Sequence, residues 1–143
     1  MNTFIQELQK EAQKRMQKSG DHIHDLAHAA RVATYSDQIG RGLSLSDEHL
    51  EILSLASWWH DTGRTLTRKP SLVWMRCIDD FASAFLLWRQ AKKFHIEHDN
   101  IVSVAIRIII SHNFGTERLL SKIILTPKYR ELLSIIADAD TLD

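Results

Sequence analysis

The chain has 143 residues, 44% hydrophobic and 25% charged, the balance of one ordinary globular domain able to bury a core. Its 18 basic and 18 acidic side chains cancel, so no one-sign field marks it as a binder of nucleic acid polymers or anionic membranes. The single Cys77 excludes an internal disulfide, Met1-Asn2-Thr3-Phe4 opens no signal peptide, and the apolar run from Val104 to Ile110 falls far short of the roughly 20 residues of a membrane span. A soluble, cytoplasmic protein is the expectation.

Five glycines, two prolines and apolar residues recurring at three and four predict an all-α bundle of about five to seven helices. No strand alternation and no linker marks a second domain. Thr3 and Gln6 form a capping-box pattern that opens a first helix, fading by Gly20. A second spans about Asp25 to Ile39, with Leu26, Ala30, Ala33 and Ile39 inward and Gly40 as its C-terminal stop. Ser46 caps a third, in which Leu50, Leu53, Leu55 and Ala56 lead to His60 and Gly63 ends the helix. The stretch from Arg64 to about Cys77 contains Pro70 and reads as a loop. A fourth helix runs from near Asp79 to Phe94 and carries Phe81, Phe85, Leu86 and Trp88. Asp99 caps a fifth, Ile101 to about His112, before a turn at Asn113-Phe114-Gly115. Thr126-Pro127 starts the last helix, which takes Leu132, Leu133, Ile135 and Ile136 to an acidic end.

Histidines and carboxylates stand at the rims of these apolar stretches: His28 in the second helix, His60-Asp61 after Trp58-Trp59, and Asp140 at the end of the last. Two imidazoles and two carboxylates suit one borderline to hard divalent ion, such as Mn, Fe, Co, Ni, Zn or Mg. Neighbouring helical residues point about 100° apart, so His60 and Asp61 can share an ion where the helix ends and the backbone turns at Gly63. Each piece alone is equally what an unremarkable doublet or a solvated acidic tail looks like. Together they predict a metal centre.

The ordered set His24-Asp25-x-x-His28-x-x-Arg31-Val32, His60-Asp61-x-Gly63, Ile109-x-x-His112 and Asp138-Ala139-Asp140-x-Leu142-Asp143 resembles the HD superfamily of metal-dependent phosphohydrolases. The likeness is nearest to small stand-alone bacterial members that hydrolyse nucleotides, and it covers about residues 20 to 143. It implies the HD-domain helical bundle, metal ligation by His28, His60, Asp61 and Asp140, and hydrolysis of a phosphate ester or anhydride. A bound divalent ion would bring the pKa of its water towards neutrality, and Asp61 would orient that water as well as bind the metal. Arg31, one turn from His28, and Arg64, beside the metal turn, are candidate phosphate clamps, each equally readable as a surface arginine. His112 is expected to donate to the phosphate, its bland reading being a histidine at a helix C-terminus. His24 is expected beside the ligands, facing substrate, with His22, His49, His95 and His98 on the surface. Trp58, Trp59, Trp74 and Trp88 are expected in the core or an interface.

Two departures refine these expectations. Thr62-Gly63-Arg64-Thr65 lacks the acidic pair of alarmone-hydrolysing relatives, and Asp79 or Asp80 stands roughly where a two-metal member would place another histidine. One metal and no alarmone are therefore expected. Relatives continue with further helices beyond the position of Asp143, so Asp140 is expected near a fraying end, with a second subunit one way to complete the pocket. The expected partner is a small phosphorylated substrate, a nucleotide or a similar metabolite. The alternative is a non-catalytic regulatory module that binds metal or nucleotide.

Overall fold

The computed structural model describes residues 3–20, 23–66, 76–114 and 119–143. They form seven α-helices: α1 (Thr3–Met16), α2 (Leu26–Gly42), α3 (Asp47–Trp59), α4 (Arg76–Lys93), α5 (Asn100–Ser111), α6 (Leu119–Ile124) and α7 (Pro127–Thr141). Short 3-10 turns cover Thr62–Leu66 and His112–Phe114. Among the described residues there is no strand, and no helix is long and apolar enough to cross a membrane. The all-α bundle is as predicted.

The centre of the bundle is α3, which packs against α1, α2, α4, α5 and α7. Its Ile52, Leu53, Leu55, Ala56 and Trp59 are fully buried and spread around the helix, as a helix enclosed on several sides requires. Each large aliphatic side chain there contributes on the order of 1.5–3 kcal/mol by leaving water. The Trp59 indole N–H donates to the Leu8 carbonyl at 3.1 Å and ties α3 to α1. Such an N–H needs a partner because burying it unpaired is costly. Asp99 caps α5 by accepting from the amides of Ile101 and Val102, as its position predicts.

The structure corrects several local expectations. Gly40 does not stop α2; the helix continues to Gly42. Gly40 is buried beneath α3, where an added Cβ would lie 2.8 Å from Leu50 Cδ2 and 3.0 Å from Leu53 Cδ1. It is there for close helix approach. The inward face of α2 is correspondingly rotated to His28, Ala29, Val32, Ala33, Ser36 and Gly40, leaving Leu26, Ala30 and Ile39 at its margin. Small residues let α2 sit close to α3, so the tight face is not the most apolar one.

Thr3 is already the first helical residue of α1, so its expected role as cap is not what is seen. Thr126 precedes α7 but makes no side-chain cap; Pro127 at the first position suffices to start the helix. The short α6 lies in a stretch with no expected helix. Six residues carry too little periodicity, and its Leu119 and Ile123 point outward. His49 is buried against Tyr129, not on the surface, whereas His95 and His98 are exposed as expected. Trp59 lies in the core and Trp58 packs against it, while Trp88 is exposed; His22, Pro70, Trp74 and Gly115 lie outside the described residues.

Candidate metal centre

Four helix ends deliver the site. Asp25 caps α2 by accepting from the His28 amide at 3.0 Å, which places the His28 ring on the first helical turn. His60 is the C-terminal cap of α3, and Asp61 follows where the chain leaves that helix for the 3-10 turn. His112 ends α5, and Asp140 stands in the last turn of α7. Three of the four ends are helix C-termini, whose carbonyl dipoles favour a cation.

The ring nitrogens and carboxylates meet. His28 Nε2 lies 3.4 Å from Asp61 Oδ2 and 3.2 Å from Asp140 Oδ1. His60 Nε2 lies 3.3 Å and 3.8 Å from the same two oxygens. His112 Nε2 reaches the other Asp140 oxygen at 3.3 Å. The four ligands expected from the sequence thus converge, in two groups that share His60, and His112 stands with His60 and Asp140 rather than apart at a phosphate subsite.

These separations fit a coordination shell. Donors about 2.1 Å from one ion lie about 3.0 Å apart at octahedral angles and about 3.4 Å apart at tetrahedral ones. The Nε2 atoms of His28 and His60 are buried and have no aligned hydrogen-bond partner, an expensive condition unless another group takes their lone pairs. The opposite nitrogen of each ring is engaged. His60 Nδ1 donates to the Ser57 carbonyl at 2.7 Å, and His28 Nδ1 donates to Asp143 Oδ2 at 2.7 Å. Once deprotonated, both rings would therefore present Nε2 as the acceptor, the tautomer a metal needs. Side-chain exposure is 2% for His60, 6% for His28 and 11% for Asp61, but 34% for Asp140, which marks the open side. A groove of about 600 Å³ between α2 and α3, lined by Ala33, Thr34, Leu50 and Trp58, holds none of these donors.

The candidate arginines serve the carboxylates. Arg64 Nε donates to Asp61 Oδ1 at 3.0 Å, leaving Asp61 Oδ2 towards the histidines. Arg31 grips Asp143 with Nε on one oxygen and Nη2 on the other, the latter at 2.9 Å. Asp143 was legible only as part of a motif, and its role is new. It links Arg31 to His28 and so joins the residues after α7 to α2. The helical spacing held a clue: Arg31 follows His28 by three residues and Asp143 follows Asp140 by three, so each pair shares a face. Replacing Asp143 with asparagine should weaken metal binding about 10–100-fold while leaving helicity intact, as loss of a carboxylate behind a ligating histidine does. Metal titration by calorimetry checks this; unchanged affinity would leave Asp143 a surface tether.

The back wall is built by α4. Gly63 N–H donates to Ser83 Oγ at 2.7 Å, and Asp80 accepts from the Asn113 amide at 3.2 Å and from its side chain at 2.8 Å. Burial pushes the Asp80 carboxyl up to about 6, with His112 and Asn113 pulling the other way. His24 stacks edge-on against His28 at 5.3 Å, beside the ligands as expected.

Without a metal ion the same electrostatics hold protons in the cluster. Asp140 first, then Asp61, push His28 up to about 10 against the opposing effect of burial. Burial pulls His60 down, yet Asp61 and Asp140 together carry it well above the usual imidazole range. Burial raises Asp61 and Asp140, but the imidazoles reverse this and leave both well below the usual carboxylate range. Imidazoles raised above 6.5 stabilise the metal-free fold fully below that pH, and this contribution is lost as pH climbs towards about 10. The carboxylate contribution is present above about pH 4 and lost below it. A metal must displace the imidazole protons. The melting temperature of chelator-treated protein should therefore fall from about pH 6.5 to 9.5, and added metal should raise it more at about pH 8.5 than at about pH 6. Thermal scans with and without metal measure both trends; a pH-independent metal effect would contradict them.

No protein-family model, curated protein or solved structure matches this chain.

Proposed function

We propose that the chain is a single-metal phosphohydrolase of the HD type, acting on a nucleotide or a similar small phosphorylated metabolite. The observation that carries this is the convergence of two buried imidazole Nε2 atoms, without aligned hydrogen bonds, on two carboxylates, each ring held from behind through Nδ1. His28, His60, Asp61 and Asp140 would hold the ion, with His112 within reach of the same centre. When bound, such an ion supplies the Lewis acidity that acidifies water and polarises a phosphoryl oxygen.

The chain's own residues position and protect. Ser57 and Asp143 fix the histidine rings, Arg64 turns one Asp61 oxygen inward, and α4 excludes water from behind. A substrate would approach past Asp140, the most exposed member, with His24 beside the ligands to donate to phosphate oxygens.

Both arginines are engaged by carboxylates of the site, which lends some support to the second reading, a module that binds metal or nucleotide without turnover. Metal analysis of the purified protein, then phosphate and pyrophosphate release from a panel of nucleotides with Mn, Co, Ni or Zn, separates the two. Release that chelator abolishes supports the enzyme. Thermal stabilisation by nucleotide with no release supports the module, and neither metal retention nor any chelator effect would overturn both.

A further inference from the structure

The helix that backs the metal turn carries a second, unrelated face. On α4, Asp79, Asp80 and Ser83 are buried towards Gly63 and Asn113, while Ile78, Phe81, Phe85 and Trp88 lie on the opposite side. Ile78, Phe81 and Phe85 are each at least 50% exposed and Trp88 is 37% exposed. Beside them α6 holds out Leu119 and Ile123, at 73% and 70% exposure. Between the two helices runs a groove of about 450 Å³ over Ile110 and Arg107. Nothing in the metal chemistry uses these residues.

We propose that this face is the contact between two copies of the chain, paired through antiparallel α4 helices about a two-fold axis at the level of Ser83. Two features carry this. The first is spacing. Residues 78, 81, 85 and 88 follow one another by three, four and three, the alternation of three and four that seams helices together. That series reads the same in either direction, so an antiparallel copy sets Ile78 opposite Trp88 and Phe81 opposite Phe85, each contact occurring twice as an isologous interface demands.

The second is area. At roughly 100 Å² for each half-exposed large side chain, the six residues offer about 600 Å² of apolar surface. That is the upper end of the largest patch found on monomers, about 300–600 Å². It approaches the roughly 800 Å² per partner of a standard interface, with Arg89, Arg107 and Lys92 to form the rim. Lys92 already covers the end of the stripe, its Nζ 5.0 Å from the Trp88 ring centre. The pairing is independent of the proposed activity and holds or fails without it.

Sedimentation equilibrium of the whole chain over micromolar concentrations tests this, with a mass of twice 16.5 kDa expected. Phe85→Glu and Phe81→Lys should each run as monomers with wild-type helical circular dichroism, since both side chains are at the surface. Mixed in equal amounts, the two variants should recover the dimer, because the axis sets residue 85 of one copy against residue 81 of the other. A monomeric wild type, dimers that survive both substitutions, or a mixture that stays monomeric would each overturn the proposal. Monomeric wild type co-sedimenting with anionic phosphatidylserine vesicles would overturn it in favour of a lipid surface.

Discussion

Exchanging His60 for alanine should abolish stoichiometric retention of divalent metal and lower turnover by at least about 10³-fold. A metal that stabilises developing charge supplies several kcal/mol, and each 1.4 kcal/mol is worth about a factor of ten. His60 is the member common to both donor groups found among the described residues, one with His28 and Asp61 and the other with His112 and Asp140, so its loss breaks both. Asp61→Ala should match it in activity, since Asp61 Oδ2 faces both His28 and His60. Asp61→Asn separates charge from shape: it preserves a neutral oxygen at that place, and metal affinity should still fall. Metal analysis by mass spectrometry and phosphate release are the readouts. Full activity in both alanine variants, with helical content unchanged, would sink the metal centre as the source of activity.

Gly63→Ala should destabilise the protein by about 3 kcal/mol, lowering the melting temperature by roughly 10 °C in a chain of this size. The added methyl would collide with the Asp79 carbonyl oxygen and lie 3.0 Å from both Ala82 Cβ and Ser83 N. Neither backbone can retreat cheaply, because the Gly63 amide is also bonded to Ser83 Oγ in the same crossing. The displaced turn starts immediately after Asp61, so metal affinity should fall along with stability. Thermal denaturation with and without metal resolves the two losses. A shift under about 2 °C would mean that α4 yields, and that the glycine is not needed for close approach.

How legible all this was depends on whether a property is local. The helices capped by Ser46 and Asp99 could be placed from sequence because each cap satisfies amides within three residues of itself, and Asp25, read as the start of its helix, does the same. The four candidate ligands could be picked out because each stands near a helix end at an apolar rim, and helix ends can be read one at a time. Which residues stand behind the ligands could not be named, since Asp143 finds His28 across 115 positions and Asp80 finds Asn113 across 33. Gly40 and Gly63 look like punctuation in one dimension. Their burial against Leu50 and against α4 exists only once helices pack, so a stop signal and a contact signal share the same letter. His49 misled for a similar reason. Its neighbours in sequence are polar, while Tyr129, which covers it, belongs to another helix. The outward stripe of α4 shows the converse, for an apolar period identifies a helix without saying which side the core will claim.

The ligand order along the chain has a consequence for biosynthesis. His28 is made early and Asp140 more than a hundred residues later, with Asp143 later still. During translation the growing chain can assemble α2, α3 and α5 around a half-built centre, but Asp140 and Asp143 follow only with α7. In the proposed centre, metal capture would wait until the polypeptide has been synthesised as far as α7, and ribosome-bound chains stopped short of that helix should release any ion far faster than chains that include it.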